Sequence, residues 1–268
     1  MFTILIAAYN GNRWVEEAIA TAQSQTFRDF ECLILDNGST DSTREIATKA
    51  IVNDSRFHYH YLNTANKANA LNYGIMVAKN DWIAVLDVDD LWDPEKLAAQ
   101  ATFIQENPDI DIIGTRFKYF GYGDDVARKT PELPLDHAGI MAWLDRCENP
   151  FATSSVVYKK DIHFRGVGLY NTMYYSVEDY EIWKKARMRG MKFINLPFIG
   201  MLHRIHPPSP YQTTDRQNIC KALVDVLYTD LTDVRHVAYF TEMLQRFDEA
   251  LPKRAWSDGH SVRHGDEQ

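Results

Sequence analysis

Four carboxylates fall within seven residues in Asp87-Val88-Asp89-Asp90-Leu91-Trp92-Asp93, directly after the apolar run Trp82-Ile83-Ala84-Val85-Leu86. Such a run reads as a strand covered on both faces, and in open α/β sheets ligands bind beyond the carboxyl ends of the strands. Two carboxylates about 4 Å apart repel by roughly 4 kcal/mol at an effective dielectric near 20, so the cluster calls for a cation or a proton. Asp87 and Asp89 share one face of an extended chain at about 6–7 Å. That spacing grips one divalent ion, Mg²⁺ or Mn²⁺, together with a ligand's phosphates. Asp93, before Pro94, reads instead as a helix cap. A second acidic pair, Glu178-Asp179, stands in the first turn of an amphipathic helix over Val177 to Arg189, where the helix dipole favours ionised carboxylates.

The elements that would position these acids alternate in type. Strands are expected over Phe2 to Ala8, Phe30 to Leu35, Phe57 to Leu62 and Trp82 to Leu86. Between them lie helices carrying Trp14, Ala18, Ile19 and Ala22, then Ile46 and Ala50, then Ala68, Leu71, Ile75 and Ala78. Ser42 with Glu45 predicts a capping box for the second helix, and Pro94 predicts the first position of a fourth. This alternation predicts a mostly parallel sheet with helices on both sides. Further on, strands are expected over Ile110 to Phe120, Phe151 to Tyr158 and Phe193 to Leu202, with a polar loop from Gly121 to Asp136. Gly190 ends the helix that begins with Glu178-Asp179. Helical periodicity returns from Ile219 to Phe247 after Pro207-Pro208-Ser209-Pro210, and the residues from about Ala255 are polar. The expected organisation is one α/β domain over 1–210, a helical C-terminal appendage over 211–254 and a frayed tail over 255–268.

Composition narrows the function. The 268 residues carry a formal charge of −8, which disfavours nucleic acid as a partner and suits a protein that holds cations. Cys32, Cys147 and Cys220 are too dispersed for a metal knuckle or a disulfide framework and read as buried thiols of a reducing compartment. No apolar run reaches the length of a membrane span, and the apolar N-terminus reads as a strand, so a cytoplasmic protein is expected. Lys221, Arg235 and Arg246 are scattered, leaving room for peripheral docking at the inner face of a membrane without arguing for it. The acidic stretch also admits other readings. Asp87-Val88-Asp89 looks like the nucleophile loop of haloacid-dehalogenase-type phosphatases, but that loop follows a first strand. Asp89-Asp90-x-x-Asp93 fits a prenyl-diphosphate motif, which belongs to an all-α fold. No GxGxxG follows the first strand, so a dinucleotide site is excluded.

Taken together, Phe2 to Asn10, Ser24-Gln25-Thr26-Phe27, Ile34 to Asp41, Leu86 to Asp90 and Val177 to Trp183 resemble, in order and spacing, the family 2 glycosyltransferases of the GT-A fold. The resemblance runs from residue 2 to about 207. It implies a Rossmann-like sheet with a nucleotide-sugar half over about 1–107 and an acceptor half over about 108–210. It implies an inverting, non-processive transferase that moves one sugar from a nucleotide-diphosphate sugar, usually UDP-linked, to a glycan or lipid-linked acceptor. Ala7, Ala8, Tyr9 and Asn10 would end the first strand under the nucleotide. Asp36-Asn37 stands where the family commonly has Asp-Asp, and Lys67 stands where the nucleotide is often contacted. Asp87 and Val88 would support the nucleotide end, Asp89 would ligate Mn²⁺ or Mg²⁺, and Asp179, beside Glu178, would be the general base. His203-Arg204-Ile205-His206 resembles a late family segment in which Arg204 closes over the diphosphate and His206 completes the metal shell. Among aromatics, Trp92, Trp143, Tyr174 and Tyr175 are candidates to stack on an acceptor sugar, with Tyr174 or Tyr175 preferred. Two rivals follow from the same residues: a phosphohydrolase using Asp87, and an inactive transferase-like binding module.

Overall fold

The computed structural model describes residues 1–121, 130–174, 176–206 and 214–228. Eight strands form one sheet in the order β3-β2-β1-β4-β7-β6-β8-β5. β1 (Phe2–Ala8), β2 (Phe30–Asp36), β3 (Phe57–Tyr61) and β4 (Trp82–Asp87) run parallel, as the alternation requires. The other half is mixed: β7 (Val157–Lys159) is antiparallel to both β4 and β6 (Ile112–Gly121), β6 is parallel to β8 (Phe193–Ile205), and β5 (Leu91–Trp92) is antiparallel to β8.

The alternation of side chains along β1 sorts the core into two layers. Phe2, Ile4 and Ile6 face α1 (Val15–Gln23), α2 (Thr43–Ile51) and α4 (Lys96–Glu106) through Ile19, Ala47 and Leu97. Leu5, Leu33 and Leu35 face the other way, onto α3 (Lys67–Val77), α5 (His137–Asp145) and α6 (Glu178–Met188) through Leu71, Ile75, Leu144 and Trp183. α7 (Thr214–Leu227) adds Val224 to this second layer. All three cysteines are buried thiols. Among the described residues, no helix is long and apolar enough to cross a membrane.

Three local expectations are corrected. The cap of α2 comes from Asp41, whose carboxylate accepts the Thr43 N–H at 3.0 Å, while Ser42 makes no side-chain cap. Pro94 lies outside α4, because Asp93 accepts the Glu95 N–H at 2.9 Å and its own N–H is tied to Gly200, holding the turn off the helix. Phe151 to Tyr158 is not a continuous strand. Its hydroxyl residues Thr153–Ser155 form a 3₁₀ turn, and only Val157–Lys159 pairs. Sequence reasoning also missed α5, although Asp136 caps it at the Gly139 N–H and Ile140 and Leu144 sit four apart on its buried side. Gly190, at φ 68°, ends α6 as expected, since only glycine adopts that conformation without strain. Residues 122–129 of the loop expected over Gly121 to Asp136, the boundary near 210 and the tail from 255 lie outside the described residues.

Lys96 is fully buried, 3.0 Å from Gln100 Oε1 and 4.0 Å from the centre of the Trp92 ring. Burial lowers its pKa well below the ordinary lysine value. The unfolded chain therefore binds more protons than the native one below about pH 10.4, and stability from this group rises with pH towards that value. Lys96→Met removes the penalty. The variant is expected to melt at higher temperature than wild type at pH 7, by roughly 2–4 °C per kcal/mol regained, with the difference shrinking as calorimetric scans approach pH 10. A variant that melts lower throughout would show that the buried amine is stabilising.

Candidate active site

The carboxyl ends of β1, β2 and β4 point the same way, and beyond β4 opens a cleft of about 800 Å³. Its walls bring together Lys67, Asp87, Asp89, Glu178, Asp179, Arg204 and His206 from the sequence expectation, with Asn66, Asp90, Asn149, Thr153 and His203 added. Ala7, Ala8, Tyr9, Asn10, Asp36, Asn37 and Val88 are not in these walls. They form the turns at the ends of β1, β2 and β4. The first two turns are laced together: Asn37 donates its N–H to Ala8 at 2.8 Å, and Asn10 accepts the Thr40 N–H at 2.9 Å. Gly38, at φ 86°, lets the chain turn there. Asp36 is fully buried, accepting from Tyr59 Oη and from the Ser39 N–H at 2.8 Å. Asn37 reaches the cleft indirectly, because its amide oxygen accepts the N–H of Asn66, the residue that caps α3.

Every acid of the cleft has a partner. Lys67 Nζ lies 2.6 Å from Asp87 Oδ1 and 3.4 Å from Glu178 Oε1, joining the end of β4 to the start of α6. Burial opposes the charge on Lys67, but Asp87 and Glu178 outweigh it and raise the lysine pKa above its ordinary value. Glu178 is held up in turn by burial, against the pull of Lys67. Asp89 Oδ2 meets His206 Nε2 at 2.9 Å. Asp90 is nearly fully buried, and burial raises its pKa against the opposing hydrogen bond from His203. It is ringed by His203 Nδ1 at 3.0 Å, the Arg204 N–H at 3.0 Å and Ser154 Oγ at 2.6 Å. Ser154 Oγ also accepts the Asp87 N–H at 3.0 Å, so one hydroxyl joins two of the acids. Asp179 accepts from Thr153 Oγ1 at 2.8 Å, Asn149 Nδ2 at 3.3 Å and the Tyr180 N–H at 2.7 Å.

The β5–β8 ladder explains how residues 203–206 arrive here: Leu91 pairs with Leu202, which lays the end of β8 over the Asp89-Asp90 turn. Arg204 lines the cleft, and its guanidinium is already engaged there. Its guanidinium is sandwiched 4.1 Å from the Trp14 ring and 4.3 Å from the Phe120 ring, pairs with Glu17, and donates through Nε to the Asp89 carbonyl at 2.8 Å. Trp92 is core, with its Nε1–H on the Ser154 carbonyl at 2.6 Å. Trp143 and Tyr174 do line the cleft, with Phe117 and Tyr119. Tyr175 lies outside the described residues.

The donor set suits a hard divalent ion. Among the described residues, no three metal-ligating side chains cluster, but Asp89 and His206 offer a carboxylate oxygen and an imidazole nitrogen at one wall of the cleft. Mg²⁺ and Mn²⁺ commonly take one or two protein ligands and complete their shell from phosphates and water.

Residues 3–166 match the family described as "Glycosyl transferase family 2". The chain belongs to this family. Among curated relatives, the UDP-Glc:alpha-D-GlcNAc-diphosphoundecaprenol beta-1,3-glucosyltransferase WfaP of Escherichia coli is 29% identical over 78% of this chain and 79% of its own. The O-antigen biosynthesis glycosyltransferase WbnJ of Escherichia coli is 24% identical over 94% of this chain and 97% of its own. Among solved structures, S. aureus TarS 1-349 in complex with UDP-GlcNAc superposes at a TM-score of 0.69, with 20% identity, over 93% of this chain and 73% of its own. This likeness shows the fold, which is GT-A. The protein is a glycosyltransferase.

Ser154 lies behind the cleft wall, fully buried and bonded to both Asp87 and Asp90. Ser154→Ala leaves the Asp87 N–H without this acceptor, a cost of about 1–3 kcal/mol. Urea denaturation is expected to show a loss of that size. A variant as stable as wild type would mean that water replaces the hydroxyl.

Proposed function

We propose that the protein transfers a single sugar from a nucleotide-diphosphate sugar, in the first instance a UDP-sugar, to a glycan or lipid-linked acceptor with inversion at the anomeric carbon. The observation that carries this reading is the placement of two acidic centres in one cleft: Asp87 and Asp89 at the end of β4, and Asp179 at the start of α6. WfaP, whose printed name gives a UDP-glucose donor and a lipid diphosphate acceptor, and TarS with UDP-GlcNAc support the donor and acceptor classes. The Pyrobaculum calidifontis mannosyltransferase PcManGT, solved with GDP-Man and Mn²⁺, superposes at a TM-score of 0.60 with 17% identity over 82% of this chain and 60% of its own, and supports use of a metal.

In this reading the nucleotide lies along the ends of β1 and β2, over Ala7 to Asn10 and Asn37. Lys67 faces the diphosphate from the start of α3. Asp89 and His206 would hold a divalent ion, which would neutralise charge building on the leaving nucleoside diphosphate. Asp179 takes the proton from the acceptor hydroxyl while that oxygen bonds to the anomeric carbon. The bond to the diphosphate breaks in the same displacement and its electron pair leaves with the nucleotide. Thr153 and Asn149 hold Asp179 Oδ2, and the Tyr180 N–H holds Oδ1, so the carboxylate is aimed before the acceptor arrives. Trp143 and Tyr174 form the acceptor wall. Residues 1–210 are the catalytic domain in this proposal, and the transferase works in the cytoplasm or at the inner membrane face.

Thermal stabilisation by UDP, GDP, CDP and TDP, each with and without Mn²⁺, tests the donor site by mass action. Selective, Mn²⁺-dependent stabilisation that disappears in Asp89→Ala is expected, and no shift with any nucleotide would sink the donor assignment. Asp179→Asn is expected to keep that stabilisation while sugar transfer falls by about 10²–10⁴-fold. Phosphate release from phosphomonoesters, lost in Asp87→Asn, would turn the reading to hydrolysis instead.

A further inference from the structure

Away from the cleft, the second layer of the core contains a charged knot that the reaction does not use. Asp225, on α7, is fully buried. Its carboxylate accepts from Tyr180 Oη at 2.5 Å and from Lys221 Nζ at 2.6 Å, and Lys184 Nζ stands 3.8 Å away, itself almost wholly buried. The two lysines also donate to backbone carbonyls around the end of α5, Lys184 to Leu144 at 2.9 Å and Lys221 to Cys147 at 2.5 Å. One turn further, Tyr228 donates to the buried Glu181 at 2.9 Å. α7 is thus fastened to α6 and to the end of α5 by charged and hydroxyl groups as well as by apolar contact.

The fastening ends at the acid that faces the acceptor. Tyr180 follows Asp179, and its N–H donates to Asp179 Oδ1. Its phenol is the group that Asp225 holds, 45 residues later in the chain. A side chain anchored at its far end fixes the azimuth of the first turn of α6, and with it the direction of Asp179. Apolar packing alone would let that turn rotate or slide at little cost, whereas a charge-assisted hydrogen bond in a buried site is directional.

We infer that Asp225, acting through Tyr180, is a positioning residue for the general base, so that α7 belongs to the catalytic machinery rather than being an appendage to it. The inference rests on the assignment of Asp179 as base. A carboxylate displaced by about 1 Å from its working position loses rate rather than affinity for the donor. Removing the anchor therefore separates turnover from nucleotide binding.

The test uses the full chain and follows release of nucleoside diphosphate from UDP-glucose, UDP-N-acetylglucosamine and GDP-mannose with Mn²⁺, water serving as acceptor. Wild type, Tyr180→Phe, Asp225→Asn and Asp179→Asn are compared, with melting temperatures measured alongside. Tyr180→Phe removes only the phenolic oxygen and keeps the ring, so it remains informative where Asp225→Asn fails to fold. The expected result is a kcat roughly 10- to 100-fold lower in Tyr180→Phe, with the donor KM within about twofold of wild type and unchanged stabilisation by UDP with Mn²⁺. A Tyr180→Phe variant that melts lower but turns over at the wild-type rate below its transition would overturn the inference and leave a purely structural knot. A fall in donor affinity equal to the fall in kcat would overturn it too. If Asp179→Asn releases nucleotide as fast as wild type, the base assignment beneath the inference fails instead.

Discussion

Five carboxylates, Asp87, Asp89, Asp90, Glu178 and Asp179, share the walls of one cleft, and their mutual repulsion is the constraint around which the rest is arranged. Left in water they would be screened; in a partly closed cleft each must be matched or protonated. Matching them with one buried cation would fill the space a ligand needs. The chain instead distributes the matching over several groups from elsewhere in the sequence: Lys67 for Asp87 and Glu178, His206 for Asp89, His203 and Ser154 for Asp90, Thr153 and Asn149 for Asp179. All of these partners but Ser154 line the cleft.

That solution dictates topology. Ser154 lies 67 residues from Asp87, and His206 lies 117 from Asp89. Only a sheet that departs from simple parallel winding brings such partners together. The antiparallel insertion of β7 beside β4 sets the Thr153–Ser155 turn against the Asp87–Asp90 segment. The antiparallel β5–β8 pair then folds residues 203–206 back over it. The parallel half of the sheet supplies a rigid floor, and the mixed half supplies the counter-groups.

This division also decides what could be read from the sequence. The parallel half was legible because β1 to β4 and α1 to α3 follow local rules: continuous apolar runs, helical spacing, turn residues. The acids themselves were legible for the same reason, lying next to one another in Asp87-Val88-Asp89-Asp90 and Glu178-Asp179. Of their partners, Lys67 and His206 were named through the family resemblance, but Ser154, Thr153 and Asn149 were not. Thr153-Ser154-Ser155 read as strand because a short segment of apolar and hydroxyl residues is compatible with one, and only tertiary demand from Asp87, Asp90 and Asp179 turns it into a 3₁₀ bend. The family resemblance put Arg204 over the diphosphate, but a motif does not say how a long side chain folds back. The rings of Trp14 and Phe120 and the carboxylate of Glu17 compete for it and win. Asp225 gave no local signal, since a lone acid in an amphipathic helix is commonplace.

The kinds of partner differ between the two ends of the cleft, and the difference has chemical sense. At Asp87, Asp89 and Asp90 the partners are cationic or can become so: Lys67, His206 and His203. Such partners can be traded for a metal ion, or turned towards a diphosphate, with little change in net charge. At Asp179 they are neutral donors, a hydroxyl, a side-chain amide and a backbone N–H, and among the described residues it forms no ion pair. A cation fixed directly on a base would hold off the proton the base has to accept, whereas neutral donors give direction without a full opposing charge. The lysines that a buried acid would ordinarily attract, Lys184 and Lys221, are instead engaged with Asp225 on the far side of Tyr180. The α6–α7 contact thereby ties these two positive charges to Asp225 rather than to the carboxylate proposed as the base.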